Sequence, residues 1–492
     1  MSKSIVEAIL KHGQNRPDKV AVICDEQHIS YKELAQAIIG TCNYIKELGV
    51  QPNDRVIINA EPEANYIIGY FAIHLLGAVA VPVEKNITYE MLEIINETID
   101  AKLRLITDAE SKGIKDALDL KSCIKSTKCE EYQLPLPDNM ADILYTTGTT
   151  GKSKGVVLNH NNLVATAENI INGIGILEDD VEMVPVPLNH AYGIGKMRAL
   201  LFKGSTIVLQ NGFASLKTIM EKLEKNNCTA ISCVPASIKL LYQQSRGRLD
   251  LVFGKLRYME IGTASMDVAM KKEILRLLPN TKICIAYGST ESPRVVYMKL
   301  DLEHLLSIGQ AACHATIKIV DDYDQVIESS RENVGRLICA GPMNMQGYWR
   351  DSNLTKTILK DGWIYTNDIG YMDEEGFIYL LGRKNDVINM GGEKISPSEI
   401  ENAIIQFKQI QDCACIPVKD PKNVLGEVPV VYYVPEEQDE VDLNELKQFL
   451  VKIIGQHKMP VEFIMIEAIP VNYMGKVNKK ELVERWRNKN EK

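Results

Sequence analysis

Apolar and polar positions alternate along residues 1–140 in a way that predicts helices interleaved with buried strands. Ser30-Tyr-Lys-Glu33 has the spacing of a capping box, in which serine and glutamate satisfy the free N–H groups of a helix start. Leu34, Ile38, Tyr44-Ile45 and Leu48 then recur at roughly helical spacing, and Gly49 supplies a stop. Arg55–Asn59 and 78–83 are short apolar runs of the kind that form buried strands. The longest apolar run, from Ile67 to Val83, contains Tyr70, His74 and Gly77, and predicts a buried helix followed by a strand rather than a bilayer span. This βα alternation favours parallel sheet with helices on both faces. Further along, 161–174 is helical in pattern, and Met259-Glu-Ile-Gly-Thr-Ala264 is an apolar strand that ends in small residues. Ser396-Pro-Ser-Glu399 is a second capping box, with proline inside the helix start and Ile400, Ala403-Ile404 and Phe407 as the apolar face. Neither an internal repeat nor a low-complexity segment is visible.

Composition narrows the class. The 492 residues allow two or more domains and a large core, and the 45% hydrophobic and 25% charged fractions are ordinary for a globular protein. A net charge of -9 argues against a nucleic-acid surface. The eleven cysteines have no repeated spacing and the eight histidines form no metal-ligand motif, so reduced thiols in a cytoplasmic protein are expected. Met1-Ser-Lys-Ser-Ile-Val-Glu lacks the apolar core of a signal peptide.

The densest chemistry lies in Tyr145-Thr-Thr-Gly-Thr-Thr-Gly-Lys-Ser-Lys-Gly155, between the apolar pairs Ile143-Leu144 and Val156-Val157. The expected structure is a strand, a hydroxyl-rich loop, and a second strand or helix start. Glycines let backbone N–H groups turn toward an anion; threonine hydroxyls add donors, and Lys152 and Lys154 add positive charge. This describes a polyphosphate-gripping loop. A Walker A loop fails on spacing, because its first glycine would fall on Thr146.

Two further stretches carry chemistry at strand ends. In Ile285-Ala-Tyr-Gly-Ser-Thr-Glu291, Tyr287 can stack on a purine, Thr290 can bond a phosphate oxygen and Glu291 can ligate Mg2+. In Gly362-Trp-Ile-Tyr-Thr-Asn-Asp-Ile-Gly370, the Asp368 carboxylate can accept from both hydroxyls of a ribose diol. Val184-Pro-Val-Pro-Leu-Asn-His-Ala-Tyr-Gly193 sets His190 in a Pro/Gly-rich break, where a packed loop residue and a functional one are equally compatible with the pattern.

Taken together and in order, these stretches resemble the adenylate-forming superfamily: acyl-CoA synthetases, peptide-synthetase adenylation domains and luciferases. The resemblance covers nearly the whole chain and lies nearest the acyl-CoA ligases. It implies an α/β fold, with a large N-terminal domain of parallel-rich sheets flanked by helices (1–384) and a small C-terminal α/β domain (385–492) that rotates about a hinge at Asn385. The implied ATP/AMP site comprises Thr146, Thr147, Gly148, Thr149, Thr150, Gly151, Lys152 and Lys154, then Gly262-Thr263-Ala264 beside adenine. Tyr287, Gly288, Ser289 and Thr290, Asp368, Arg383 at the ribose, and Lys476 complete it. Lys476, in Asn472-Tyr-Met-Gly-Lys-Val477, matches the catalytic lysine, with Thr290 and His190 as further catalytic candidates. The implied acyl pocket holds His190, Tyr192, Gly193 and Gly288, and the thiol side Gly391 and Gly392. The family pattern usually has proline at Ser153, glycine at Asn367, and Asp or Lys at Asn385. A left-handed backbone, which asparagine tolerates, would reconcile Asn367. No aspartate stands between Asn189 and Gly195 to hold an α-amine, so an amino-acid substrate is disfavoured. Small residues at Gly193, Ser289 and Ala311-Ala312 suggest room for a substantial acyl group, while Arg294 is read as a surface residue, with a second carboxylate as its alternative partner.

The implied chemistry runs in two halves. A carboxylate attacks the α-phosphorus of ATP, giving an acyl-adenylate and pyrophosphate, and a thiol then takes the acyl group and releases AMP. Joining two anions needs charge and positioning more than a nucleophilic side chain, which Mg2+ at Glu291, the loop N–H groups, Thr149, Thr150 and Lys476 are expected to supply. Expected partners are a carboxylic acid, ATP, Mg2+ and coenzyme A, in a monomer or homodimer without nucleic acid or a transmembrane segment. A phosphopantetheinylated acyl carrier protein is the alternative acceptor, and a non-catalytic nucleotide-binding relative is a third reading. Lys476→Ala is expected to lower adenylate formation on the order of 100-fold or more while sparing thiolysis of preformed acyl-adenylate. Equal loss in both half-reactions would make Lys476 structural.

Overall fold

The computed structural model describes residues 2–490 except 111, 112, 115, 128–130, 147–153, 214, 385, 392, 422, 423, 437–440 and 472–476. Two large sheets dominate it. The first has nine strands, in spatial order Gln310–Ala311, Val296–Lys299, Lys282–Tyr287, Tyr258–Ile261, Ala230–Cys233, Val181–Val184, Thr206–Leu209, Val20–Cys24 and Gln27–Ser30. From 282–287 to 20–24 its neighbours are parallel, and both margins turn antiparallel. The second has six strands, Gly347–Tyr348, Lys154–Asn159, Met140–Thr146, Val79–Val83, Arg55–Asn59 and Leu103–Leu105, parallel from 140–146 onward.

Local signals explain these elements. Ser30 and Glu33 form both halves of the expected capping box on the Tyr31–Glu47 helix, and Gly49 follows with φ +87°. The 67–83 run is the Ala64–Leu75 helix and the 79–83 strand, and every residue of that strand is buried. Such a strand shows no alternation because helices cover both faces of a parallel sheet. Ser396 caps the Pro397–Ile404 helix through the Glu399 N–H, but the reciprocal bond from Glu399 is replaced: its carboxylate accepts from Lys458 at 2.8 Å. The second capping box is therefore only half formed.

A third sheet is wholly antiparallel, which the βα alternation did not indicate. Thr316–Val320, Gly335–Ala340 and Trp363–Met372 lie side by side, and Leu359–Lys360 and Ile378–Arg383 both pair with 363–372. Asn367 lies within the 363–372 strand and is absent from the residues with positive φ, so it takes the glycine's place without a left-handed backbone. The C-terminal residues build a three-stranded sheet from Ile410–Lys419, Glu427–Pro435 and Glu462–Met465. Helices Pro397–Ile404 and Leu443–Ile454 cover one face, and Lys479–Asn490 packs near the other.

The Ala191–Lys203 helix is pinned by buried charge. Lys196 reaches Glu260 at 2.9 Å and Glu182 at 3.3 Å, both on the nine-stranded sheet. Two residues on, Arg198 pairs with Asp142 on the six-stranded sheet, where Tyr70 and His74 also bond the carboxylate at 2.9–3.0 Å. Burial pushes the Asp142 carboxyl up, but the Arg198 guanidinium and these hydrogen bonds outweigh it and leave it below the usual range. His160 packs edge-on against His74 with both ring nitrogens unpartnered among the described residues, and burial brings it down to about 3, so it stays neutral.

Removing one partner of a buried pair leaves an uncompensated charge. Arg198→Met is expected to cost about 3–5 kcal/mol in chemical denaturation, and adding Asp142→Asn should recover much of that. Because the folded Asp142 pKa is depressed, its contribution is present at neutral pH and lost as pH falls through the folded value. The deficit of the single variant should therefore shrink in acid; a deficit independent of pH would count against the ion pair.

Candidate active site

The strands 140–146 and 154–159 form an antiparallel hairpin in which Thr146 stands opposite Lys154. Of the expected elements the leading strand is present and the second is a strand rather than a helix start; Thr147, Gly148, Thr149, Thr150, Gly151 and Lys152 between them lie outside the described residues. Asn385, Gly392 and Lys476 also lie outside them. The hairpin leads to Glu291 through one short segment. Gly347 and Tyr348 pair with Val157 and Val156, Trp349 N donates to the Gly155 carbonyl at 2.8 Å, and Met345 N donates to the Glu291 carbonyl at 2.9 Å. Tyr348 then donates its hydroxyl to the Glu291 carboxylate at 2.7 Å. Lys154 lies with its ammonium 5.8 Å from the Tyr348 ring centroid.

A second group meets at the end of the 282–287 strand. Tyr287 donates its hydroxyl to Asp368, and Asp368 stands directly across from exposed Arg383 in the 363–372/378–383 pair. Burial and the neighbouring Asp368 charge hold the Tyr287 phenol well above its ordinary value, so it remains a donor. The next turn is closed by Ser289 N to the Ser292 carbonyl at 3.1 Å, leaving Gly288 and Ser289 exposed and Thr290 half-buried. A Cβ on Gly288 would come within 2.4 Å of the Arg294 nitrogen.

The third group lies one strand over. Gly262, Thr263 and Ala264 follow the 258–261 strand, which pairs with 282–287. A flat ring does approach Gly262, and it is Tyr192: a Cβ there would stand 2.3 Å from the ring. The Tyr192 hydroxyl reaches the Cys233 and Glu260 carbonyls, each at 3.1 Å, and the Arg294 guanidinium lies 4.2 Å from its ring centroid. His190, half-buried, is the N-cap residue of the 191–203 helix and makes no side-chain cap bond. Thr263 holds φ +77°, and its buried hydroxyl has no partner among the described residues. Gly391, in the C-terminal body, turns between Ile388–Met390 and Glu393–Ile395 with φ +62°.

Two expectations need correction. Arg294 is not a surface residue. It is buried and pairs with Glu260 at 3.2 Å, and Glu182, Glu260, Lys196 and Arg294 balance two charges against two. Its guanidinium is the counter-ion of a buried carboxylate, so it is not spare for a second one. The small residues also have a different cause. A Cβ on Gly193 would meet the Pro187 carbonyl at 2.2 Å, and Ala311 is exposed, so neither position marks space for an acyl group. The sequence reading missed Tyr348, whose hydroxyl acts on a residue 57 positions away; nothing local in Gln346-Gly-Tyr-Trp349 signals that contact.

A divalent cation fits the donor set as a shared ligand. No cluster of three or more His, Cys, Asp or Glu able to hold a metal exists among the described residues. Glu291 has one carboxylate oxygen on Tyr348, and Mg2+ is commonly held by one or two carboxylates with phosphate oxygens and water.

The family model for AMP-binding enzymes matches residues 9–349, and that for the AMP-binding enzyme C-terminal domain matches 399–476. A 2-succinylbenzoate–CoA ligase of Bacillus cereus is 27% identical over 476 residues, covering 95% of each chain. The Bacillus subtilis o-succinylbenzoate CoA synthetase (MenE), solved with the acyl-adenylate intermediate OSB-AMP, superposes with a TM-score of 0.83 at 25% identity over 96% of this chain and 97% of that one. Its complex with ATP and magnesium ion gives the same score and identity over 96% and 98%.

Thr263 offers a test with two opposed readouts. A β-branched residue in left-handed backbone costs about 1–2 kcal/mol, whereas glycine costs roughly 0.5–1 kcal/mol in chain entropy. Thr263→Gly should leave the melting temperature unchanged or higher while weakening ATP binding in calorimetry, because the unpartnered hydroxyl is lost. A lower melting temperature with unchanged affinity would remove Thr263 from the nucleotide site.

Proposed function

The chain belongs to the family of AMP-binding enzymes, and from that premise we propose that it activates a carboxylic acid with ATP and passes the acyl group to the thiol of coenzyme A. The observation that carries this reading is the meeting of Tyr287, at the end of its strand, with Asp368, which pairs with Arg383 across the antiparallel sheet. An aromatic face, a carboxylate and a guanidinium are what an adenosine needs for stacking, for its ribose diol and for an adjacent hydroxyl or phosphate. The 2-succinylbenzoate–CoA ligase, matched across 95% of its length, supports coenzyme A as the acceptor. The acyl-adenylate and the ATP–magnesium complexes of the Bacillus subtilis synthetase support adenylation as the first step.

In this reading Tyr287 and Gly262-Thr263-Ala264 flank adenine, Asp368 and Arg383 hold ribose, and Thr146 to Lys154 with Thr290 hold the phosphates. Glu291 would hold Mg2+, which supplies charge neutralisation between the phosphate oxygens. Lys476 carries the charge needed only while the carboxylate attacks phosphorus. His190, Tyr192 and Gly288 face the acid, and Gly391-Gly392 the thiol. We place the boundary at 384/385 with Asn385 as hinge. The packing supports this: the C-terminal cores draw on residues 388–486, while the cores of the large domain end at Leu380. No helix among the described residues is long and apolar enough to cross a membrane.

A panel of carboxylic acids incubated with ATP and Mg2+, with either coenzyme A or a holo-carrier protein, tests the proposal. The expected result is acid-dependent release of pyrophosphate and AMP in equal amounts, with a coenzyme A thioester as product. Asp368→Ala should raise the KM for ATP about tenfold or more, as expected for a lost charge-assisted hydrogen bond. ATP binding without acid-dependent pyrophosphate release across the panel would favour a non-catalytic relative, and thioester formation on the carrier alone would change the acceptor.

A further inference from the structure

We propose that Tyr348 is the positioning residue of the metal site: its hydroxyl holds one oxygen of the Glu291 carboxylate and leaves the other to bind Mg2+, while its ring seats Lys154 at the phosphate side. This rests on the reading of Glu291 as the metal ligand and goes beyond it, because Tyr348 would touch neither metal nor substrate.

Tyr348 is buried, its backbone pairs with Val156, and its N–H donates to the Thr355 hydroxyl at 2.9 Å. Asp351 caps the Ser352–Ile358 helix that carries Thr355, and Thr355 also donates back to the Asp351 carbonyl at 2.8 Å. The phenol is thus aimed by a packed strand and a helix start. Its acceptor is fastened to the same segment, since the Glu291 carbonyl takes the Met345 N–H at 2.9 Å. Asn344, in that segment, bonds Ser292, Cys339 and Gly362. Donor and acceptor therefore cannot drift apart without breaking several bonds on both sides.

A phenol donating to a carboxylate makes a charge-assisted hydrogen bond, stronger than a neutral one. Mg2+ demands near-ideal octahedral geometry and takes carboxylates singly alongside phosphate oxygens. A carboxylate with one oxygen already engaged is presented for that single contact, with its rotamer chosen in advance. The outer partners of a metal ligand typically matter 10–100-fold for affinity. The Lys154 ammonium, 5.8 Å from the ring centroid, gives the same side chain a contact with the strand that leaves the phosphate loop.

Tyr348→Phe keeps the ring and removes only the hydroxyl. Mn2+ binding in the presence of a non-hydrolysable ATP analogue, followed by electron paramagnetic resonance, should weaken about tenfold. The Mg2+ concentration for half-maximal pyrophosphate release should rise in parallel, with the KM for the acid unchanged. Glu291→Gln serves as reference, and the Tyr348→Phe/Glu291→Gln double variant should bind Mn2+ no more weakly than Glu291→Gln alone. If Glu291→Gln leaves Mn2+ affinity intact, the metal-ligand reading fails. If Glu291→Gln weakens it but Tyr348→Phe does not, or the two losses add in full, Tyr348 is a packing residue and the inference is overturned. Circular dichroism and the melting temperature of the free proteins identify any variant that has lost its fold. In that case Tyr348→His, which keeps a ring donor, takes its place in the same titration, with retention of wild-type-like Mn2+ affinity expected and a tenfold loss counting against a donor role.

Discussion

The Ala191–Lys203 helix cannot slide or rotate without stranding a buried charge, and much of the site depends on that constraint. Lys196 is committed to Glu182 and Glu260 on one sheet, and Arg198 to Asp142 on the other. Replacement of such pairs by apolar residues is often neutral for stability, but breaking one partner is costly. Here the two cations sit two residues apart on one helix and answer to two separate sheets. The arrangement sets the helix register, and with it His190 and Tyr192 at the helix start. Asp142 also lies in the strand that leads to the glycine-threonine stretch, so one bond network joins the 191–203 helix to that strand.

Tyr192 shows how the constraint reaches the site surface. Its ring lies against Gly262, its hydroxyl against two strand-end carbonyls, and Arg294 stacks above it with Glu260 as counter-ion. Glu260 accepts from cations on both neighbours, which outweighs the burial that pushes its carboxyl up, and it ends below the usual range. Glu182, served by Lys196 with hydroxyls from Ser232 and Tyr258, ends above it, because burial is opposed by fewer charges. The difference between the two glutamates is a difference in how many cations each one shares.

The site draws Tyr287 and Gly262 from strand ends of the nine-stranded sheet, where parallel strands leave a crevice, and Asp368 and Arg383 from neighbouring strands of the antiparallel sheet. Three chain segments far apart in sequence supply it, and the 341–349 segment ties two of them together through backbone bonds to Glu291, Val157 and Gly155. Polar side chains there are held by other polar side chains, as Tyr287 holds Asp368 and Tyr348 holds Glu291. That preorganisation limits the reorganisation left for ligand binding to supply.

The sequence alone determined the local features. The Ser30–Glu33 cap, the fully apolar 79–83 strand, the strand leading into the glycine-threonine stretch and the resemblance to AMP-binding enzymes were all legible there. Each depends on residues a few positions apart, where spacing alone sets geometry. Tertiary structure decided what depended on which faces meet. Arg294 read as a surface residue because an arginine after a turn usually is one, and only the approach of Glu260, 34 positions away, buries it. Gly193 and Gly288 are small because a carbonyl and a backbone nitrogen crowd them, which no single-chain pattern reveals. Asn367 needed no left-handed backbone because an antiparallel strand pairing keeps it extended. Ser396 lost half of its capping box because Lys458, from a distant turn, competes for Glu399. Tyr348 gained a role because sheet pairing with Val156 carries it to Glu291. Long-range contacts of this kind follow from the packing of whole elements, and a linear spacing carries no record of them.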